Sequence, residues 1–183
     1  MLAALFFSIQ TASAFSDGAD AIDLLGHYVQ NDGVTPDYTE NAVDDAPNPY
    51  GIQSVSYGNA IDFVNHRLFI PDASNNRVMV FNLDSSNRLI DRIADNVIGQ
   101  DDLYTNAGAR VTQSGITAPT AVAVDLVGQR LFVAQPSGNR VTVYDIATIT
   151  NGEPAVNVLG QANFTASVST TSQAGLNSPS GLA

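Results

Sequence analysis

Two stretches carry apolar residues at consecutive positions, Leu68-Phe69-Ile70 and Val78-Met79-Val80-Phe81. In a strand, successive side chains point to opposite faces, so both faces of these strands are apolar. A half-solvated sheet alternates apolar and polar residues; a sheet covered on both sides reads as a continuous run. The same texture returns at Ala121 to Asp125, Arg130 to Ala134, Arg140 to Ile146 and Ala155 to Leu159. Between these runs lie Val127-Gly128-Gln129, Pro136-Ser137-Gly138-Asn139 and Thr150-Asn151-Gly152-Glu153, which is turn chemistry. No stretch holds a 3.6-residue apolar period over a helical length. The pattern predicts small antiparallel four-stranded sheets stacked face to face, with helix a minor component.

The strands repeat. Residues 67 to 83 return at 130 to 146 with 8 of 17 positions identical, among them Arg77 and Arg140 in the shared Asn-Arg-Val. Asp62 precedes the first copy as Asp125 precedes the second, and Asn96-Val97-Ile98-Gly99-Gln100 answers to Asn157-Val158-Leu159-Gly160-Gln161. Leu24-Leu25-Gly26-His27 reads as an earlier version of that last element. A further recurrence, Pro-x-x-(Val/Leu/Ile), is read at Pro49, Pro119 and Pro179, with about seven residues inserted after the first.

Ala121-Val122-Ala123-Val124-Asp125, Leu131-Phe132-Val133-Ala134 and Asn139-Arg140-Val141 together resemble the NHL repeat, most closely its long-repeat bacterial variety. The resemblance covers roughly residues 24 to 183. It implies an all-β fold: about two and a half four-stranded blades of a β-propeller of the NHL or six-bladed TolB-like type. Units are expected at roughly 24–100, 101–161 and 162–183, within a partial propeller over 15–183. The chain stops at Gly181-Leu182-Ala183 inside the first strand of a third unit, so missing blades or self-association are expected to close the ring. One departure concerns chemistry: Gln135 stands where the pattern has the acid seen at Asp72, which removes an Asp–Arg pair from the second unit.

Composition narrows the function classes. Seven basic residues, all arginine, oppose 18 acids for a net charge of −11. Nucleic acid is not expected as a partner, because phosphate binding rests on clustered Lys and Arg. Anionic membranes are disfavoured for the same reason. No cysteine is present, so no thiolate nucleophile or disulfide framework exists. Leu2 to Ile9 with Ala12-Ser13-Ala14 reads as a signal peptide over 1–14, without its basic region. Eight apolar residues cannot span a bilayer, so no membrane insertion is expected and the protein is placed outside the cell or on its surface.

Few residues suggest a site. Asp62, Asp72, Arg77, Asp125, Arg140, Gly99, Gln100, Gly160 and Gln161 recur with the repeat and are read as structural positions, the arginines tying turn carbonyls together. His66 aligns with Gln129 in a hairpin turn, and nothing places His27 or His66 beside a serine and an acid. Asp44-Asp45, Asp101-Asp102 and Asp84-Ser85-Ser86-Asn87 offer oxygens without EF-hand spacing. Asn163-Phe164-Thr165 is a sequon if the source is eukaryotic. No catalytic residue, metal or cofactor is expected. The expectation is a non-catalytic scaffold that binds a protein or glycan through loops around 31–48, 101–118 and 162–178. A structural module of a larger extracellular array is the alternative. Propeller lactonases and an amidating lyase among the relatives of such folds make an enzyme the more distant one.

Overall fold

The computed structural model describes residues 24–27, 35, 47–55 and 58–183. The signal peptide expected at 1–14, Asp44-Asp45 and most of the 31–48 loop lie outside the described residues.

The chain is all-β, with two four-stranded antiparallel sheets and a single 3-10 turn among the described residues. Sheet one contains β1 (Ala60–Asp62), β2 (Arg67–Asp72), β3 (Arg77–Asn82) and β4 (Asn96–Ile98), each paired with its sequence neighbour. Sheet two repeats that order with β5 (Ala121–Asp125), β6 (Arg130–Gln135), β7 (Arg140–Asp145) and β8 (Asn157–Leu159). The registers superimpose: Asp72 pairs with Arg77 and Gln135 with Arg140, while Val78 pairs with Ile98 and Val141 with Leu159. This architecture is consistent with two neighbouring propeller blades.

Both faces of sheet one are covered, as its unbroken apolar runs require. Phe69, Val78, Val80 and Ile98 meet Val122, Leu131, Val133, Tyr144 and Ile146 of sheet two in one cluster that Ile116 and Ala155 complete. The opposite side chains, Ile70, Met79 and Phe81, form a second cluster with Ala94, against which Leu25, Ile52 and Leu103 pack. Fully burying side chains of this size contributes roughly 1.5–3 kcal/mol each, so the inter-sheet cluster is the main cohesive feature. The first strands of the two sheets lie on one side: Gly58 bridges Ala121 in parallel, and the Val122 amide donates to the Gly58 carbonyl at 3.1 Å.

Two details depart from the sequence reading. Strand β8 begins at Asn157 rather than Ala155. Pro154 has no amide to donate, and the Ala155 amide is taken by the Gln113 carbonyl at 2.9 Å. The alignment of Pro49 with Pro119 is also wrong. Gly51 and Ile52 occupy the place of Gly115 and Ile116, since Arg77 and Arg140 donate to the Gly51 and Gly115 carbonyls. The seven-residue insertion therefore shrinks to a single residue before Asp62.

Candidate functional site

Three of the predicted positions, Asp72, Arg77 and Arg140, lie in two equivalent clusters, one per sheet, that tie the long loops to the strands. In sheet one, the Arg77 guanidinium is wholly buried. Its Nε donates to Asp72 Oδ2 at 2.9 Å, its Nη1 to the Leu103 carbonyl, and its Nη2 to the carbonyls of Asn48 and Gly51. Asp72 is also buried and accepts from the amides of Gln53 and Ser54 and from Asn75 Nδ2. One ion pair thereby gathers the segment before β1, the turn after β2 and the loop after β4. Only Arg presents enough donors in a fixed fork to hold three carbonyls and a carboxylate together.

Sheet two builds the same cluster without the acid. Arg140 Nη1 donates to the Phe164 carbonyl, and Nη2 to the carbonyls of Arg110 and Gly115. Where Asp72 would stand, Gln135 Oε1 accepts from Arg140 Nε at 3.1 Å, from Nη2 at 3.0 Å and from the Thr117 amide at 3.0 Å. Gln135 spends its amide donor on Thr142 Oγ1 at 2.6 Å, and that hydroxyl donates to the Tyr144 phenol oxygen at 3.3 Å. Met79 and Phe81 occupy the positions of Thr142 and Tyr144 in sheet one. The acid-to-amide change is thus accompanied by a buried polar chain that satisfies the new donor. Burial pulls both guanidinium groups below their ordinary value, an effect that Asp72 partly offsets for Arg77. Burial also pushes the Tyr144 phenol up to about 12, so it stays neutral.

A second pair of anchors closes the loops. Gln100 Nε2 donates to the Asn76 carbonyl, and its Oε1 accepts from the Ala107 amide. Gln161 repeats this with the Asn139 carbonyl and the Val168 amide. Gly99 and Gly160 turn the chain out of the fourth strand at φ +97° and +82°, where a Cβ would lie 2.7 Å from Ile116 Cβ and 2.5 Å from Leu176 Cγ. Gly26 has φ +84° and meets Ile52 in the same way, which places it in the equivalent position one unit earlier.

Asp62 and Asp125 cap the first hairpin turn of each sheet. Asp62 Oδ1 accepts from the amides of Val64 and Asn65, and Asp125 Oδ1 from those of Val127 and Gly128. Burial works to raise the Asp62 pKa, but bonds from Asn65, Arg67 and Val64 outweigh it and hold the carboxyl below its ordinary value. His66 and Gln129 share left-handed backbone, φ 54° and 51°, and His66 Nδ1 lies 2.8 Å from Asn87 Oδ1. Asp84 accepts from the amides of Ser86 and Arg88 as well as from Arg88 Nε, closing a local turn.

Sequence reasoning overlooked Asn76 and Asn139. Both adopt left-handed backbone, at φ 53° and 47°, and their Oδ1 atoms accept from the amides of Ala118 and Ser178, each at 3.0 Å. They reach from a hairpin turn to the far end of the following loop. Their signal is the asparagine before each repeated arginine, visible in the sequence but attributable to an ordinary turn. Asn151 belongs to a predicted turn as well, yet its Oδ1 accepts from the Val97 amide at 3.0 Å and joins the two sheets.

The segments 99–120 and 160–180 are therefore irregular but pinned at both ends and in the middle. The second borders an open pocket of about 320 Å³ lined by Gly160, Gln161, Ala162, Ala166, Val168, Thr170 and neighbouring small residues. Among the described residues no three His, Cys, Asp or Glu side chains gather as a metal site. No family model and no curated protein sequence matches the chain. Among solved structures it is similar to hydrazine synthase from Kuenenia stuttgartiensis, with 16% identity and a TM-score of 0.39. That alignment covers 69% of this chain and 27% of the other, so the chain spans just over a quarter of its neighbour's length.

Proposed function

We propose that the chain is an NHL-type propeller module, exported from the cell, that binds a protein or glycan through its long loops and catalyses no reaction. The observation that supports binding is the contrast between anchor and content. Both loops hang on the same Arg, Gln, Gly and Asn positions. Between the anchors they differ, with Asp101-Asp102-Leu103-Tyr104 in one and Ala162-Asn163-Phe164-Thr165 in the other. A rigid framework presenting loops of differing content is how repeat scaffolds separate stability from recognition.

An exchange of loop interiors tests this reading. Residues 101–109 and 162–169 are swapped between units with every anchor retained, and parent and variant are screened against a glycan array and an extracellular protein library. A ligand captured by the parent and lost by a stably folded variant supports loop recognition. A ligand retained by the variant places recognition elsewhere, and turnover of a captured ligand removes the non-catalytic part of the proposal.

A further inference from the structure

The open pocket in the 160–180 loop has an informative counterpart in the preceding unit. The Arg110 amide donates to the Ile116 carbonyl, and the Thr170 amide to that of Leu176, so Arg110 and Thr170 are equivalent. Gly115 and Gly175 pack against these two residues in the same manner. In the first unit the Arg110 side chain turns inward. Its Nη2 donates to the Gly99 carbonyl at 3.1 Å and to Asp101 at 3.4 Å, while its Nε is buried without a hydrogen-bond partner. In the second unit Thr170 and Ala162 replace Arg110 and Asp101, and the opening of about 320 Å³ is bordered by both of them and by Gly160, the counterpart of Gly99.

We propose that this opening is a receptor for a guanidinium group on an alkyl stem, the group an arginine side chain presents. The inference rests on the loop-binding reading above and names the chemistry of one of its sites. The frame that seats Arg110 is repeated, and what is missing from it is the arginine. Ala166, Val168 and Ala174 supply an apolar wall for the stem, and the backbone at Gly160 supplies the acceptor position. Loss of the Asp101 counterpart matters little: that carboxylate is 73% exposed, and exposed pairs contribute about 0–1 kcal/mol. A net charge of −11 favours a cation over an anion at any such seat.

The test titrates the intact protein with N-acetyl-arginine amide, N-acetyl-lysine amide and N-acetyl-citrulline amide, read by amide NMR. A group of this size is expected to bind with a dissociation constant of about 1 mM. Saturable shifts should centre on Gly160, Gln161 and Thr170, with lysine and the neutral citrulline at least about tenfold weaker. Thr170→Arg should fill the seat from within and abolish the shifts while leaving the fold intact. If that variant does not fold, Ala174→Leu narrows the same opening and should do likewise. No saturable shift at these residues, equal binding of citrulline, or binding that survives the filling variants overturns the proposal. The loop exchange is scored on whichever ligand the screens capture, so the seat can fail while loop recognition stands.

Discussion

At the scale of the residue, the two buried arginines perform one task with different partners, and this difference is measurable. Asp72 and Arg77 are both fully buried, so removing the carboxylate leaves an uncompensated charge. Breaking such a pair costs about 3–5 kcal/mol, so Asp72→Ala should lower unfolding free energy by that amount in urea. Gln135→Ala removes a neutral acceptor and should cost about 1–3 kcal/mol, a gap that equal losses would contradict. Asp62 gives a pH signature. Its folded pKa lies below its unfolded value of about 3.9. Its contribution is therefore present in full above about pH 4 and fades as pH falls through the folded value. Asp62→Asn should be less stable at neutral pH and show a shallower loss below pH 4, with parallel curves between pH 5 and 8. The repeat made these residues visible, and with them the Asp72–Arg77 pair, but which carbonyls the arginines hold was not legible. Arg77 bonds residues 26 and 29 positions away, and nothing in the local pattern specifies Leu103 or Gly51 as acceptors. The role of Asn76 is hidden for the same reason, since its left-handed backbone is local chemistry and its bond to the Ala118 amide is not.

At the scale of the element, strands were legible where both faces are apolar and uncertain at the fourth strand. The run Val78-Met79-Val80-Phe81 leaves no polar face and can only be an interior strand, as β3 is. In β8, Asn157, Val158 and Leu159 lie at the rim of sheet two, where competing hydrogen bonds set the length rather than composition. The misplaced Pro49 shows another limit: a three-residue motif with one proline matches several places, and only contacts to Arg77 and Gly26 choose among them. The glycine that ends each fourth strand gives a sharper test. Gly99 and Gly108 both have positive φ, but a Cβ on Gly99 collides with Ile116 whereas one on Gly108 meets nothing within 4 Å. Gly108→Ala should cost only the left-handed backbone term, about 1–2 kcal/mol. Gly99→Ala adds overpacking of about 1–3 kcal/mol, so its midpoint in urea should fall clearly further. Equal midpoints would mean that Ile116 yields freely and that the packed turn is not what fixes the exit from the sheet.

At the scale of the whole molecule, the question is whether the two sheets are separate objects or one. Repeat proteins behave as sums of unit stabilities and neighbour interfaces, and cooperativity depends on which term dominates. Here the largest cluster lies between the sheets, where Phe69 and Val80 of one meet Val133 and Tyr144 of the other. Polar ties run across the same boundary: Arg67 donates to the Ile146 carbonyl, Asn65 to Gln129, and the Val97 amide to Asn151. An interface built from both apolar area and backbone bonds leaves neither sheet able to open without stripping the other. Native-state hydrogen exchange should therefore give β3 and β7 amides the same opening free energy, that of global unfolding. Phe69→Ala, which hollows the shared cluster, should remove about 3–5 kcal/mol and lower protection in both strands by equal amounts. Protection lost from β3 alone would show two independently stable sheets joined by a soft interface. In that case the loops they carry could shift relative to one another, and recognition would involve a moving surface rather than a fixed one.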